Sequence, residues 1–426
     1  MSETLYLKRV FQSYYREKKD SVPPVSYLEN REFGFIPWEK QVMIRHTAFH
    51  NLDDFRNYLM MNVPKHVYSS GTIYDYPSNQ TMEDKGYRGC DLIIDIDVDH
   101  FYTPCKDDHD LWQCSECGAS GKGMIKKCPK CGKLKLTKLE WICEKCLDIA
   151  RKEILKLIYD FLIPDFGLDT EKMKIAFSGN RGYHLKIEDE KIRTLSSEER
   201  REIVDYLTGE NVSLEILGLR ERNNIIFGLL KNNIGWSEKI VKKLEELLQK
   251  SDLEIETYLS NQVGFKLSHN LILSLIKSKK DLLRVISSED KNIWAVEGFG
   301  LTTWKKFLKG LIMEIGARID EPVSIDIHRL IRYPGSIHGK TGFRVQELEI
   351  RELESFNPLD EDNENLDPIV FFSKKKNTQK IKIVAEKVPI TKIKGISYGP
   401  YEKNEIIEVP HHVAIFLLCK EVAKLI

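Results

Sequence analysis

Asp91–Asp99 reads DLIIDIDVD, and the pattern of this stretch fixes what the rest of the chain has to supply. In an extended strand successive side chains point to opposite faces. Leu92, Ile94, Ile96 and Val98 therefore make one apolar face, while Asp91, Asp95, Asp97 and Asp99 share the other with Ile93. Positions two apart lie roughly 7 Å apart at Cα, so their carboxylates can converge on one ion or a close pair. Without cations the like charges repel and force a proton onto one acid; a divalent ion removes that penalty. A strand end running into a solvated acidic turn would use the same letters, so the decision falls to the residues around it.

The chain has 426 residues, with Lys+Arg and Asp+Glu balanced at 65 each. That length allows a large core and two or three structural units. Overall charge points neither toward nor away from nucleic acid, so any such case rests on local clusters. No apolar run is long enough to span a bilayer and MSETLYLKRV does not read as a secretion signal, so the expectation is a soluble cytoplasmic protein. Nine cysteines at C-x-x-C spacings in such a chain read as metal ligands rather than disulfides.

Seven of those cysteines lie between Cys105 and Cys146. Two C-x-x-C-G knuckles, Cys114/Cys117 and Cys128/Cys131, are flanked by Cys105-x3-His109 before and Cys143-x2-Cys146 after. Eight ligands fill two tetrahedral zinc sites. The simplest nesting has an inner set, Cys114, Cys117, Cys128 and Cys131, within an outer set, Cys105, His109, Cys143 and Cys146; other groupings remain open. Four protein ligands close a zinc site, which makes it structural.

Elsewhere, periodicity predicts a first helix over 4–17 and strands on either side of Pro37, with Arg31 and Arg45 read as surface residues. A strand–turn–strand spans MKIAFSGNRGYHLKI, whose turn gathers Ser178, Arg181 and His184 around two glycines suited to an anion. The Lys/Glu-rich stretch to about Gly310 reads as an all-helical insertion. After it, IDEPVSIDIHRLIRYPGSIHGKTGF sets Asp320 before Arg329, Arg332, His338 and Lys340, a combination suited to a triphosphate beside a metal. An acidic linker (Asp360–Asp367), a lysine cluster (Lys374–Lys382) and an amphipathic segment (Pro410–Ile426) follow.

Taken together, REF at residue 31, DIDVD, SGNRGYH and LIRYPGSIHGKTG resemble the catalytic (small) subunit of archaeal and eukaryotic DNA primases, over roughly residues 5–350. The resemblance implies an α+β primase–polymerase core of mixed or antiparallel sheets flanked by helices. The core would be split as 1–190 and 311–426, with a zinc-binding subdomain at 103–147 and a helical insertion at 191–310. It makes Asp95, Asp97 and Asp320 the ligands of two catalytic Mg²⁺ or Mn²⁺ ions. Ser178, Arg181, His184, Arg332, His338 and Arg45 become nucleotide contacts. The outer cysteine set matches the family's zinc knuckle, and the inner set looks like an insertion into it. The implied activity is de novo synthesis of short RNA primers, with DNA primers as an alternative product, on single-stranded DNA from nucleoside triphosphates. The implied partner is a large subunit bearing an iron–sulfur domain, without a membrane; a eukaryotic source would place the protein in the nucleus. A primer-extending or repair polymerase of the same superfamily is the alternative, and a non-enzymatic zinc-bearing scaffold the third reading.

Overall fold

The computed structural model describes residues 2–40, 42–231, 233–261, 266–288, 291–373 and 377–426. Three members of the expected lysine cluster, Lys374, Lys375 and Lys376, lie outside them. By contacts the chain divides into one unit formed by 1–155, 169–201 and 319–426 and a second formed by 156–168 and 202–318. No helix among the described residues is long and apolar enough to cross a membrane.

The first unit opens with a helix over Glu3–Glu17, whose buried Leu7, Phe11 and Tyr14 recur at helical spacing. Its first strands are β1 (Arg31–Ile36), β2 (Ile44–Thr47), β3 (His66–Tyr74), β4 (Tyr87–Cys90) and β5 (Leu92–Asp97). The cysteine-rich segment contributes β6 (Leu111–Cys114), β7 (Ser120–Lys122) and β8 (Leu136–Leu139). After the helix Glu144–Lys156 come β9 (Met173–Phe177) and β10 (Gly182–Ile187). In the second unit, β11 (Arg220–Arg222) and β12 (Ile225–Phe227) form a hairpin; back in the first lie β13 (Leu330–Arg332) and β14 (Gln346–Leu348).

These strands make two antiparallel sheets in the first unit. One has the order β13-β3-β1-β2, with β4 also paired to β3, and the other β14-β9-β10-β5. A third, small sheet, β7-β6-β8, carries the inner cysteines. The architecture is mixed α+β with antiparallel sheets, and both sheets need strands from before and after residues 202–318.

Several expectations are corrected. Strand β5 stops at Asp97, and Val98–His100 turn away as a short 3-10 segment, so Asp99 is not a strand residue. Asp91 does not join the other acids. It is fully buried between Arg31 (2.6 Å) and Arg193 (2.6 Å). Arg31 is likewise a buried residue, because an ion pair lets its charge leave water. The segment Pro410–Ile426 is not amphipathic: the helix His411–Cys419 has eight buried residues, with Phe416 stacked on Phe343 and edge-on to Trp141.

The second unit is not all-helical. Helices Trp236–Leu248, Asp252–Ser260, His269–Ile286 and Leu301–Ile315 dominate it, but β11 and β12 pair through Asn223 and Asn224. Both asparagines have positive φ (52° and 62°), the geometry of a two-residue hairpin turn that asparagine tolerates.

Candidate active site

Strand β5 sets Asp95 and Asp97 on one face at its C-terminal end. The chain turns at once, with Asp97 Oδ1 accepting the Asp99 N–H (2.9 Å). Strand β10 runs antiparallel beside it, pairing Gly182 with Asp97 and His184 with Asp95. A Cβ on Gly182 would lie 2.2 Å from the Ile96 carbonyl oxygen, so only glycine lets the hairpin close on the acidic strand. Asp320, far along the chain, donates its N–H to the Asp95 carbonyl (2.9 Å) as it enters the short helix Glu321–Ile325. Its Oδ2 lies 3.6 Å from His100 Nε2. The three acids thus meet at the end of β5.

Their electrostatics follow from that meeting. Burial, then the charges of Asp97 and Asp320, push the Asp95 carboxyl up to about 8. Asp97 is raised too, by burial and by Asp99. Asp95 Oδ1 is buried without a hydrogen-bond donor among the described residues, and His184 Nε2 is 3.4 Å away. Burial, then Arg332, drives the His184 imidazole down to about 3, so it stays neutral. A buried carboxylate with an unfilled acceptor and like charges beside it is a donor set made for hard cations, and these residues fit divalent ions.

Beside the acids lie the basic groups. The SGNRG turn packs over the second basic segment: Thr341 Oγ1 donates to the Gly179 carbonyl (2.5 Å), and a Cβ on Gly179 would meet His338 Cβ at 2.6 Å. The Ser178 hydroxyl is used inside the turn, accepting from the Asn180 N–H (3.3 Å). Arg332 lies over the Tyr68 ring (5.1 Å to its centroid) and donates to His66 Nδ1 (2.8 Å), which leaves the His66 proton on Nε2. His338 is buried, its ring 4.9 Å from that of His66; burial, then Arg332, holds it well below the ordinary histidine range. A cavity of about 240 Å³ lined by Ser69, His184, Lys186 and Arg332 opens against these groups.

Two of the expected phosphate contacts are otherwise engaged. Arg181 is fully buried, its fork bidentate to Asp110 (3.1 Å for each arm) and one arm 3.2 Å from Asp99. Arg45 pairs with the buried Glu32 (2.8 Å) and donates to the His328 carbonyl (3.2 Å).

The cysteine segment brings together the same two sets of four. Ligand atoms of Cys105, His109, Cys143 and Cys146 lie within 4.8 Å of one another, as do those of Cys114, Cys117, Cys128 and Cys131. Each group could hold a metal ion. His109 presents Nε2 to Cys146 Sγ (3.3 Å), while its Nδ1 is 2.8 Å from Asp110 Oδ1, the carboxylate that also holds Arg181. A carboxylate behind a ligating histidine fixes its tautomer and orientation.

Four residues near the site carry no signal in the sequence: His66, His100, Asp110 and Lys420. Lys420 Nζ donates to the Glu140 carbonyl (3.0 Å) and reaches Asn180 Oδ1 at 3.4 Å; burial, then Arg181, lowers it to about 8. His100 and Asp110 each adjoin a motif residue, Asp99 and His109, but what each one contacts is set by chain distant in sequence, so only the fold reveals it.

Residues 134–350 match the family model described as DNA primase small subunit. The DNA primase small subunit PriS of Methanocella arvoryzae is 32% identical over 438 residues, covering 97% of this chain and 96% of the relative. That of Archaeoglobus fulgidus is 31% identical over 429 residues, covering 99% and 98%. The chain belongs to the DNA primase small subunit family. As a primase small subunit it is the catalytic subunit, a nucleotidyltransferase that synthesises primers for DNA replication. Among solved structures, the polymerase domain of Mycobacterium tuberculosis Ligase D in complex with DNA overlaps 82% of this chain and 83% of its own, at 8% identity and a TM-score of 0.29, too distant to inform the primase site.

Proposed function

We propose that Asp95, Asp97 and Asp320 hold two divalent ions, Mg²⁺ or Mn²⁺, against the triphosphate of an incoming nucleotide, and that the chain starts short RNA primers, or DNA primers, on single-stranded DNA. The observation that carries this reading is the hydrogen bond from Asp320 N–H to the Asp95 carbonyl, which sets the third acid beside the first two. When bound, such ions lower the pKa of the attacking 3′-hydroxyl and neutralise the leaving pyrophosphate.

The chain's own groups do the rest. Asp95 must give up its raised proton before it can bind a cation, and its neighbours Asp97 and Asp320 make that cation welcome. Neutral His184 and His338 donate hydrogen bonds without adding charge, whereas Arg332 supplies a permanent positive charge for phosphate oxygens. Ser178 shapes the hairpin through its contact with Asn180. In this reading Arg181 and Arg45, already held by carboxylates, act by fixing the hairpin and β1–β2 rather than by gripping phosphate. Both four-ligand groups hold zinc as structural sites, since closed sets of thiolates and imidazole suit that ion. A large partner subunit and a cytoplasmic setting complete the proposal.

The test is primer synthesis on single-stranded DNA with no primer supplied. Asp95→Asn and Asp320→Asn should each lower it by at least about 100-fold, more than loss of a supporting residue around a metal costs, with unfolding unchanged. Activity within a fewfold of the parent in either variant refutes the reading. Extension of a supplied primer without de novo products would point to a repair polymerase.

A further inference from the structure

Residues 111–139 form the small sheet β7-β6-β8 around the inner cysteines, and their charge sets them apart. They carry seven lysines, at 122, 126, 127, 130, 133, 135 and 138, against one acid, Glu116, a net of +6. The whole chain has zero net charge, so everything outside this ribbon sums to −6. A divalent ion on four thiolates would contribute −2 and still leave the ribbon at +4. All seven lysines are exposed, and among the described residues only Lys135 has an acidic partner, Glu116 at 3.1 Å. Lysines on flexible stems, unpaired and of one sign, suit a polyanion bound by charge rather than shape.

Two further observations narrow the occupant. The ribbon's one aromatic, Trp112, is buried against Cys114 and Cys128, so no exposed ring is available for stacking a base. The ribbon is also rooted at the acid cluster. Asp110, the residue before β6, holds Arg181, and Arg181 reaches Asp99, two residues after Asp97. Lys106 Nζ donates to the Phe101 carbonyl (2.8 Å) just beyond. A strand lying on the ribbon's lysines is thereby held on a segment whose base is tied to the carboxylate strand through Asp110, Arg181 and Asp99.

We propose that the lysine face of residues 111–139 binds the sugar–phosphate backbone of a single nucleic-acid strand without reading its bases. The proposal deepens the reading of the chain as a template-directed polymerase, but binding is measured without polymerisation, so the two can fail separately. Asp95→Asn, which disables transfer in that reading, leaves this binding intact.

The experiment uses the full chain and fluorescence anisotropy of labelled oligodeoxythymidylate and oligouridylate over a salt series. The variant replaces Lys126, Lys127, Lys130 and Lys133 by glutamine, and metal content is measured to verify that the ribbon survives. A reference variant replaces Lys277, Lys280, Lys306 and Lys309, exposed lysines of the helical unit. Each engaged lysine contributes about 0.7 to the slope of log affinity against log salt on single strands, or about fivefold near 0.1 M salt. The ribbon variant should therefore lose about 100-fold or more and show a shallower slope, and arginine at the same four positions should restore binding. Loss on DNA assigns the face to the template, and loss confined to RNA assigns it to the primer; both uphold the proposal. A loss no greater than that of the reference variant overturns it, as does failure of arginine to rescue a variant with full metal content.

Discussion

Asp110 shows how much one side chain can carry. Its carboxylate meets His109 Nδ1, both arms of Arg181 and the Trp141 N–H, so a metal ligand and the SGNRG turn share a single anchor. Asp110→Asn should weaken metal retention in the outer group by about 10- to 100-fold, measured by ion content after dialysis against a graded chelator series. Asp91 poses a different test. Removing it leaves Arg31 and Arg193 without their carboxylate, one of them fully buried, and Asp91→Ala should cost about 3–5 kcal/mol in urea unfolding. The sequence disclosed the metal groups because C-x-x-C is a local pattern whose spacing and ligand chemistry are written side by side. It misassigned Asp91, because alternation along a strand reports which face a residue occupies, not what lies opposite. Arg181 was legible as a charged turn residue, but its partner lies 71 positions away and leaves no local trace.

At the level of elements, the β5–β10 ladder is what sets His184 opposite Asp95 and closes the turn over Asp97. Gly182→Ala pushes a methyl into the Ile96 carbonyl and the Asp97 backbone. The strands must part there, at a cost of about 1–3 kcal/mol. Primer synthesis should fall much further than that loss of stability explains, checked by comparing the urea midpoint with initial rates. Both strands were readable from alternation alone. The hairpin of β11 and β12 was missed because three-residue strands offer too few positions for a period, leaving only the Asn-Asn pair as a sign. The helix His411–Cys419 was misread for the opposite reason. Helical spacing finds a polar stripe only if one exists, and burial on all sides removes it.

Across the whole molecule, several histidines are buried neutral: His66, His184, His338 and His412 are all depressed. His412 lies away from the acids, its ring 5.2 Å from that of Phe372; burial, then His411 and Lys394, lowers it to about 4. The unfolded chain takes up this proton near pH 6.5, the folded chain only near pH 4. Stability is therefore retained above pH 6.5 and lost as pH falls toward 4. His412→Leu should shrink the drop in unfolding free energy between pH 7 and pH 4.5 by about 2 kcal/mol, a difference taken within each protein and so insensitive to a uniform change in stability. The family was legible in the sequence because four short motifs kept their order across most of the chain. The Lys/Glu-rich stretch announces an insertion through its helical pattern, but that residues 156–168 cluster by contacts with 202–318 leaves no local trace in the sequence.

The closure of both sheets around residues 202–318 has a consequence for how the protein is born. Asp95 and Asp97 leave the ribosome early, Asp320 only after the entire helical unit, and the helix that fills the core of the first unit well after that. A nascent chain paused anywhere in between holds Asp95 and Asp97 without Asp320 beside them, so under the proposed function no fragment begins copying before the molecule is nearly made.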